Sequence, residues 1–94
     1  MKIIWSPEAA EDFESAVTYL VGVNPAAART LVASVLGLIE WLAVEPVLGP
    51  SHVLRNGDVV HGWPLKPFRI YYQRDSASFR VVRIYHQRRE PITR

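Results

Sequence analysis

The feature that most constrains this chain is a change of hydrophobic period near residue 45. Up to Val44 the apolar residues recur at steps of three and four, and beyond Pro46 they fall into short runs rich in β-branched and aromatic residues. Both helical segments open with the same device. Ser6-Pro7-Glu8 places a capping hydroxyl, a proline suited to the first helical position and an acid against the positive end of the helix dipole. Ala9 stands where a capping box needs Glu, so the reciprocal half of that motif is missing. Asn24-Pro25 repeats the cap and the proline. Along the first helix Ala9 or Ala10, Phe13, Val17 and Leu20 share a face, and Glu8, Glu11, Asp12 and Ser15 point elsewhere as a solvated acidic face. The second helix runs to about Val44, where Glu45-Pro46 stops it, because a residue before proline is pushed out of the helical region. It offers two apolar rows, Leu31–Val35–Leu38–Leu42 and Val32–Leu36–Ile39. So wide an apolar surface must bury more than one side: against a sheet, against the first helix, and against something outside the chain.

Lys2 to Trp5 is a plausible first strand. After the turn signals Gly49-Pro50 and Asn56-Gly57, the run Val59-Val60-His61-Gly62-Trp63-Pro64-Leu65 reads as a strand weakened by Gly62 and Pro64. Phe68 to Arg74 and Phe79 to His86 are strong strands joined by the polar turn Asp75-Ser76-Ala77-Ser78. Val53-Leu54-Arg55 has the pattern to pair with Asp58-Val59-Val60 across Asn56-Gly57 as an extra hairpin. The expected fold class is α+β in the order β-α-α-β-β-β, a helical hairpin from about Pro7 to Val44 on one face of a four-stranded antiparallel sheet. Phe13, Val17, Leu20, Val35, Leu38, Ile39, Ile70, Tyr72, Val82 and Ile84 are expected to be mostly buried. At 94 residues the chain is read as a single domain, 1–94.

The absence of cysteine excludes disulfides and thiolate metal sites, and no His/Asp/Glu cluster has ligand spacing. No metal or cofactor is expected. The apolar stretch from Ala26 to Val44 holds Arg29 and Glu40 and reads as a packed helix rather than a membrane span, which makes a cytoplasmic, soluble protein the default. Charge is segregated: residues 1–47 hold two basic side chains against six acidic, a balance of −4, and residues 48–94 hold nine against three, a balance of +6. That pattern suits an acidic partner, and equally a sheet with one solvated basic face.

Within the basic half, His86 closes a strand before Gln87-Arg88-Arg89. It reads either as an acid or base with a pKa near neutrality or as a histidine packed at a sheet end. His61 and His52 have no fixed spacing to each other or to a carboxylate pair. Arg69 alternates with Phe68 and Ile70, so it faces the other way, toward a phosphate or toward a helix acid. Arg80, Arg83, Arg88 and Arg89 form a basic C-terminal cluster.

Five fragments carry a resemblance: Trp5-Ser6-Pro7-Glu8-Ala9, Asn24-Pro25-Ala26-Ala27-Ala28, Glu45-Pro46…Gly49, Pro67-Phe68-Arg69-Ile70-Tyr71-Tyr72 and Arg83-Ile84-Tyr85-His86-Gln87-Arg88-Arg89. In that order and spacing, over almost the whole chain, they resemble toxins of the ParE/RelE superfamily from type II toxin–antitoxin systems, and ParE more closely than RelE. RelE-like members are ribosome-dependent messenger-RNA nucleases, and ParE-like members poison DNA gyrase without that catalytic set. Matched to RelE, the strand arginine falls on Arg69 and a C-terminal arginine on Arg89. The RelE lysine pair falls on residues 60–62, which supply only His61, and the terminal tyrosine would fall beyond Arg94. The resemblance thus implies a gyrase-binding toxin with Arg69, Arg80, Arg83, His86, Arg88 and Arg89 toward the target. The alternatives are an mRNA interferase using His61, Arg69, His86 and Arg89, and a non-toxic binding module. It also implies a cognate antitoxin, of the ribbon-helix-helix ParD-like kind, in a hetero-oligomer. The antitoxin surface is expected at Trp5, Leu31, Val35, Trp41 and Trp63, with an acidic, partly helical segment lying on the hairpin and reaching the basic sheet.

Overall fold

A computed structural model of the chain describes residues 1–87. Strand β1 (Lys2–Trp5) leads into helix α1 (Pro7–Val23), and helix α2 (Pro25–Val44) follows after a single residue. Both caps form as their chemistry requires. The Ala9 N–H donates to Ser6 Oγ at 2.9 Å and the Ala27 N–H to Asn24 Oδ1 at 3.1 Å. Glu45 closes α2 in an extended conformation ahead of Pro46.

Four further strands complete a five-stranded sheet: β2 (Ser51–Val53), β3 (Val59–Leu65), β4 (Phe68–Arg74) and β5 (Ser78–His86), in the order β1-β5-β4-β3-β2. Strands β2 to β5 pair antiparallel, but β1 lies parallel to β5, with Ile3 opposite Phe79 and Trp5 opposite Val81. The sheet is therefore mixed and one strand wider than the expected four-stranded antiparallel form. The hairpin around Asn56-Gly57 forms, but its first strand is Ser51–Val53 opposite Val59–His61. Leu54 instead turns inward, and Gly57 takes the positive φ of 93° that its lack of a Cβ permits.

The helices cover one sheet face. Val35, Ile39 and Leu42 of α2 meet Ile70, Tyr72, Phe79, Val81 and Ile84, all buried, with Ala9 of α1 at 0% exposure. Phe13, Val17, Leu20 and Leu38 are half-buried at the rim of this core. Val82 departs from the expected face. The ladder between β4 and β5 shifts at Tyr71/Tyr72, where Tyr71 faces Arg83 and Tyr72 faces Val81, so the extra residue interrupts strict alternation. Val82 joins Leu54, Val60, Tyr71 and Tyr85 in a smaller cluster on the opposite face.

Long-range polar contacts lock the layers together. Arg74 of β4 donates to the backbone carbonyls of Leu42 (2.8 Å), Glu45 and Val47 (3.3 Å), placing a cation at the negative end of α2, whose own last turn has none. The Gly49 N–H donates to the Tyr72 hydroxyl at 3.0 Å, and His61 Nδ1 donates to the Gly49 carbonyl at 2.9 Å. A Cβ on Gly49 would lie 1.9 Å from the Gly62 carbonyl oxygen, so this close passage of loop over strand requires glycine.

Candidate functional site

Two concave surfaces stand out, one on each side of the sheet. The first is an apolar groove between the two helices, beginning at the β1 edge. Trp5 and Phe13, with ring centroids 5.4 Å apart, lead to Val17 of α1 and to Val32 and Leu36 of α2. Ala10 and Thr18 form its exposed margins, and Glu14 supplies its one charge. The second is a cleft of about 460 Å³ on the face the helices leave open. Its apolar floor is Leu54, Val82 and Tyr85, and Arg55, Arg80, Glu8 and Asp58 stand at its walls.

At the edge of that cleft Asp12 organises the bulged part of β5. Its carboxylate accepts from Arg83 Nε at 2.8 Å, from Arg83 Nη2 at 2.9 Å and from the Ile84 N–H at 3.0 Å. The Ser6 hydroxyl donates to the Val82 carbonyl at 2.7 Å, and the Ser6 N–H to the Val81 carbonyl at 2.9 Å. Backbone groups on the edge of β5 where β1 ends thus find partners at the start of α1. The bond to Asp12 raises the Arg83 pKa above its ordinary value, and the same guanidinium lies 4.4 Å from the centroid of the Tyr85 ring. Burial pushes the Tyr85 hydroxyl up against the smaller opposing pull of Arg83.

Asp12 was expected on the solvated acidic face, and the structure moves it to the interface. The signal was present: Asp12 stands three residues after buried Ala9 and four before half-buried Ala16, hence on the same side of α1. Arg83, expected to face a target, is occupied by Asp12. Arg69 and Arg80 remain on the open face, opposite Tyr85 and Gln73 respectively, and neither makes an ion pair among the described residues. Arg88 and Arg89 lie outside the described residues. His86 faces Phe68 across the ladder, and their rings meet edge-on at 5.4 Å, toward the helix side. His61 faces buried Tyr72 on that same side. The structure therefore does not bring His61 and His86 together with Arg69: the sheet separates them.

Of the five residues expected to meet an antitoxin, Leu31 and Val35 lie in the core at 8% and 0% exposure, because their row is the one that packs on the sheet. Trp5 lines the groove. Trp41, exposed in the last turn of α2, and Trp63, half-buried, pack together at 5.5 Å, away from the groove. The groove residues on α2 come from the second apolar row, Val32 and Leu36, whose third member Ile39 turns into the core.

The architecture is thus a helical hairpin on one face of a five-stranded mixed sheet, with an apolar groove on the hairpin and a cleft on the bare face. A solved structure described as the chromosomal ParDE TA system from P. aeruginosa shares the fold with a TM-score of 0.69 at 20% identity, over 92% of this chain and 95% of that one. No curated protein sequence matches the chain. The family model described as "ParE toxin of type II toxin-antitoxin system, parDE" matches residues 3–91. The chain belongs to the ParE toxin family.

Proposed function

We propose that this toxin acts by binding DNA gyrase through the open sheet face, without chemistry of its own, and that a ribbon-helix-helix ParD-like antitoxin silences it in the cytoplasm from the helical groove. The observation that carries the non-catalytic reading is the placement of Arg69 on one sheet face and of His61 and His86 on the other. A phosphoryl-transfer site needs its charge-stabilising and proton-transfer groups around one atom. Arg69 opposite Tyr85 and Arg80 opposite Gln73, neither in an ion pair among the described residues, support the open face as the target surface. The groove from Trp5 to Leu36 has the apolar lining that suits an amphipathic helix of a segment that folds on binding.

Two assays test the reading. Purified toxin with gyrase, ATP and plasmid is expected to block supercoiling, and Arg69→Ala with Arg80→Ala to weaken that block. Cutting of ribosome-bound messenger, lost in Arg69→Ala, would establish the interferase instead. Ala10→Arg changes an exposed side chain on the groove margin, so it is expected to leave folding intact and to lower affinity for the antitoxin by about tenfold or more. Unchanged affinity would place the antitoxin elsewhere.

A further inference from the structure

Helix α2 carries more apolar surface than its own protomer covers. By length and composition it is apolar enough to cross a membrane, yet only 33% of its most apolar window is buried inside the fold. Leu36, Trp41 and Val44 are 43%, 42% and 73% exposed. With Ala33 and Gly37 they trace one outer stripe at helical spacing. Gly37 is the odd member. A glycine in the middle of a helix weakens it relative to alanine, and a Cβ at this position would meet nothing within 4 Å. Nothing inside the protomer accounts for it. What a missing side chain on an outer helical face permits is the close approach of another helix.

The charges at the two ends of the stripe and the sizes along it identify that helix. Its one internal charge, Glu40, stands three residues after Gly37 and so faces Ser34 in an antiparallel copy centred there. Arg29 stands near the start of α2 and Glu45 at its C-cap, and neither side chain makes an ion pair among the described residues. If two copies of α2 lie antiparallel and cross at Gly37, residues equally distant from Gly37 on opposite sides face each other. Arg29 then meets Glu45 of the second copy, and the large Trp41 meets the small Ala33. Both relations occur twice by symmetry, so one register satisfies opposite charge and complementary size together. We propose that the outer face of α2 is a homodimer interface, occupied by α2 of a second copy of this chain in antiparallel register about Gly37. The proposal is independent of the antitoxin reading, which uses the α1 side of the hairpin and meets this stripe only at Leu36.

Sedimentation velocity on a dilution series of the purified chain tests it. A dimer that dissociates on dilution is expected. Gly37→Leu should give a monomer with unchanged far-ultraviolet circular dichroism, since the site has room for the side chain. Arg29→Glu should weaken the dimer by about tenfold or more through like-charge contact with Glu45, and adding Glu45→Arg should restore it. A monomer at every concentration would overturn the proposal, as would a dimer indifferent to Gly37→Leu or a charge swap without rescue. If the chain is monomeric and Gly37→Leu abolishes antitoxin binding, the stripe belongs to the antitoxin. If a monomeric chain partitions into phospholipid vesicles through α2, it belongs to a membrane surface.

Discussion

Replacing Asp12 tests how much of the fold depends on the bulge in β5. Its carboxylate makes three bonds, two to a guanidinium and one to a backbone amide, and its side chain is 16% exposed against 30% for Arg83. Hydrogen bonds to charged groups are each worth about 1.5–3 kcal/mol net, and a buried amide left without an acceptor costs about 1–3 kcal/mol. Solvent at the exposed side of Arg83 screens part of this, because fully exposed pairs contribute about 0–1 kcal/mol. Asp12→Ala is therefore expected to cost about 2–4 kcal/mol, a large share of a typical domain stability of about 5–15 kcal/mol. For a domain of this size that lowers Tm by roughly 10–20 °C. The assay is urea unfolding followed by tryptophan fluorescence at fixed protein concentration, on Asp12→Ala, Arg83→Met and the double variant. The cycle should return a coupling of about 1–2 kcal/mol. Asp12→Asn should recover part of the loss, since its carbonyl can still accept from Ile84. A loss below about 1 kcal/mol for Asp12→Ala, or a coupling near zero, would mean that the pair behaves as an ordinary surface contact and that the bulge holds itself.

The remaining expectations are smaller in scope. Gly49→Ala should destabilise by about 1–3 kcal/mol or more in the same assay, because the added Cβ meets backbone at Gly62. Gly22→Ala should stabilise by about 0.5–1 kcal/mol, since the position is helical with open space around it. The amides of Ala77 and then Ser78, with the Ser78 hydroxyl, hold Asp75 below the ordinary carboxylate range. A depressed acid contributes stability that is present above its unfolded pKa and lost as pH falls through its folded one. Melting curves should therefore steepen in their loss below about pH 4, and Asp75→Asn should flatten that slope. Arg74→Met should fray the end of α2, read as lost amide protection around residues 42–45 in hydrogen exchange.

Much of this fold was legible because local chemistry and tertiary structure agree. The two caps, the proline-led helices and the break at Glu45-Pro46 each rest on neighbours within four residues, and each formed where the sequence put it. What escaped depends on residues far apart in the chain. Nothing in Lys2–Trp5 states which strand it joins or in which direction, because its partner lies more than seventy residues away. The bulge that moves Val82 across the sheet is stabilised by Ser6 and Asp12, so alternation read along β5 alone puts Val82 on the wrong face. Leu31 and Val35 were indistinguishable from Val32 and Leu36 by composition; only the angle at which α2 meets the sheet decides which row is covered. The basic cluster was visible as charge, but charge does not reveal that Asp12 already holds Arg83.

The pairing of β1 with β5 also sets the order in which this protein can come into being. The first strand made is the last to find its place, because the surface that receives Ile3 and Trp5 is supplied by residues 78–81 near the other end of the chain. Contacts so distant in sequence form late and carry the largest loop-closure cost. A growing chain therefore holds both helices and most of the sheet before β1 can dock, and Ser6 and Asp12 wait with it for their partners on β5. Until that strand is complete the cleft floored by Val82 and Tyr85 does not exist, and Trp5 lacks the strand that holds it at the head of the groove.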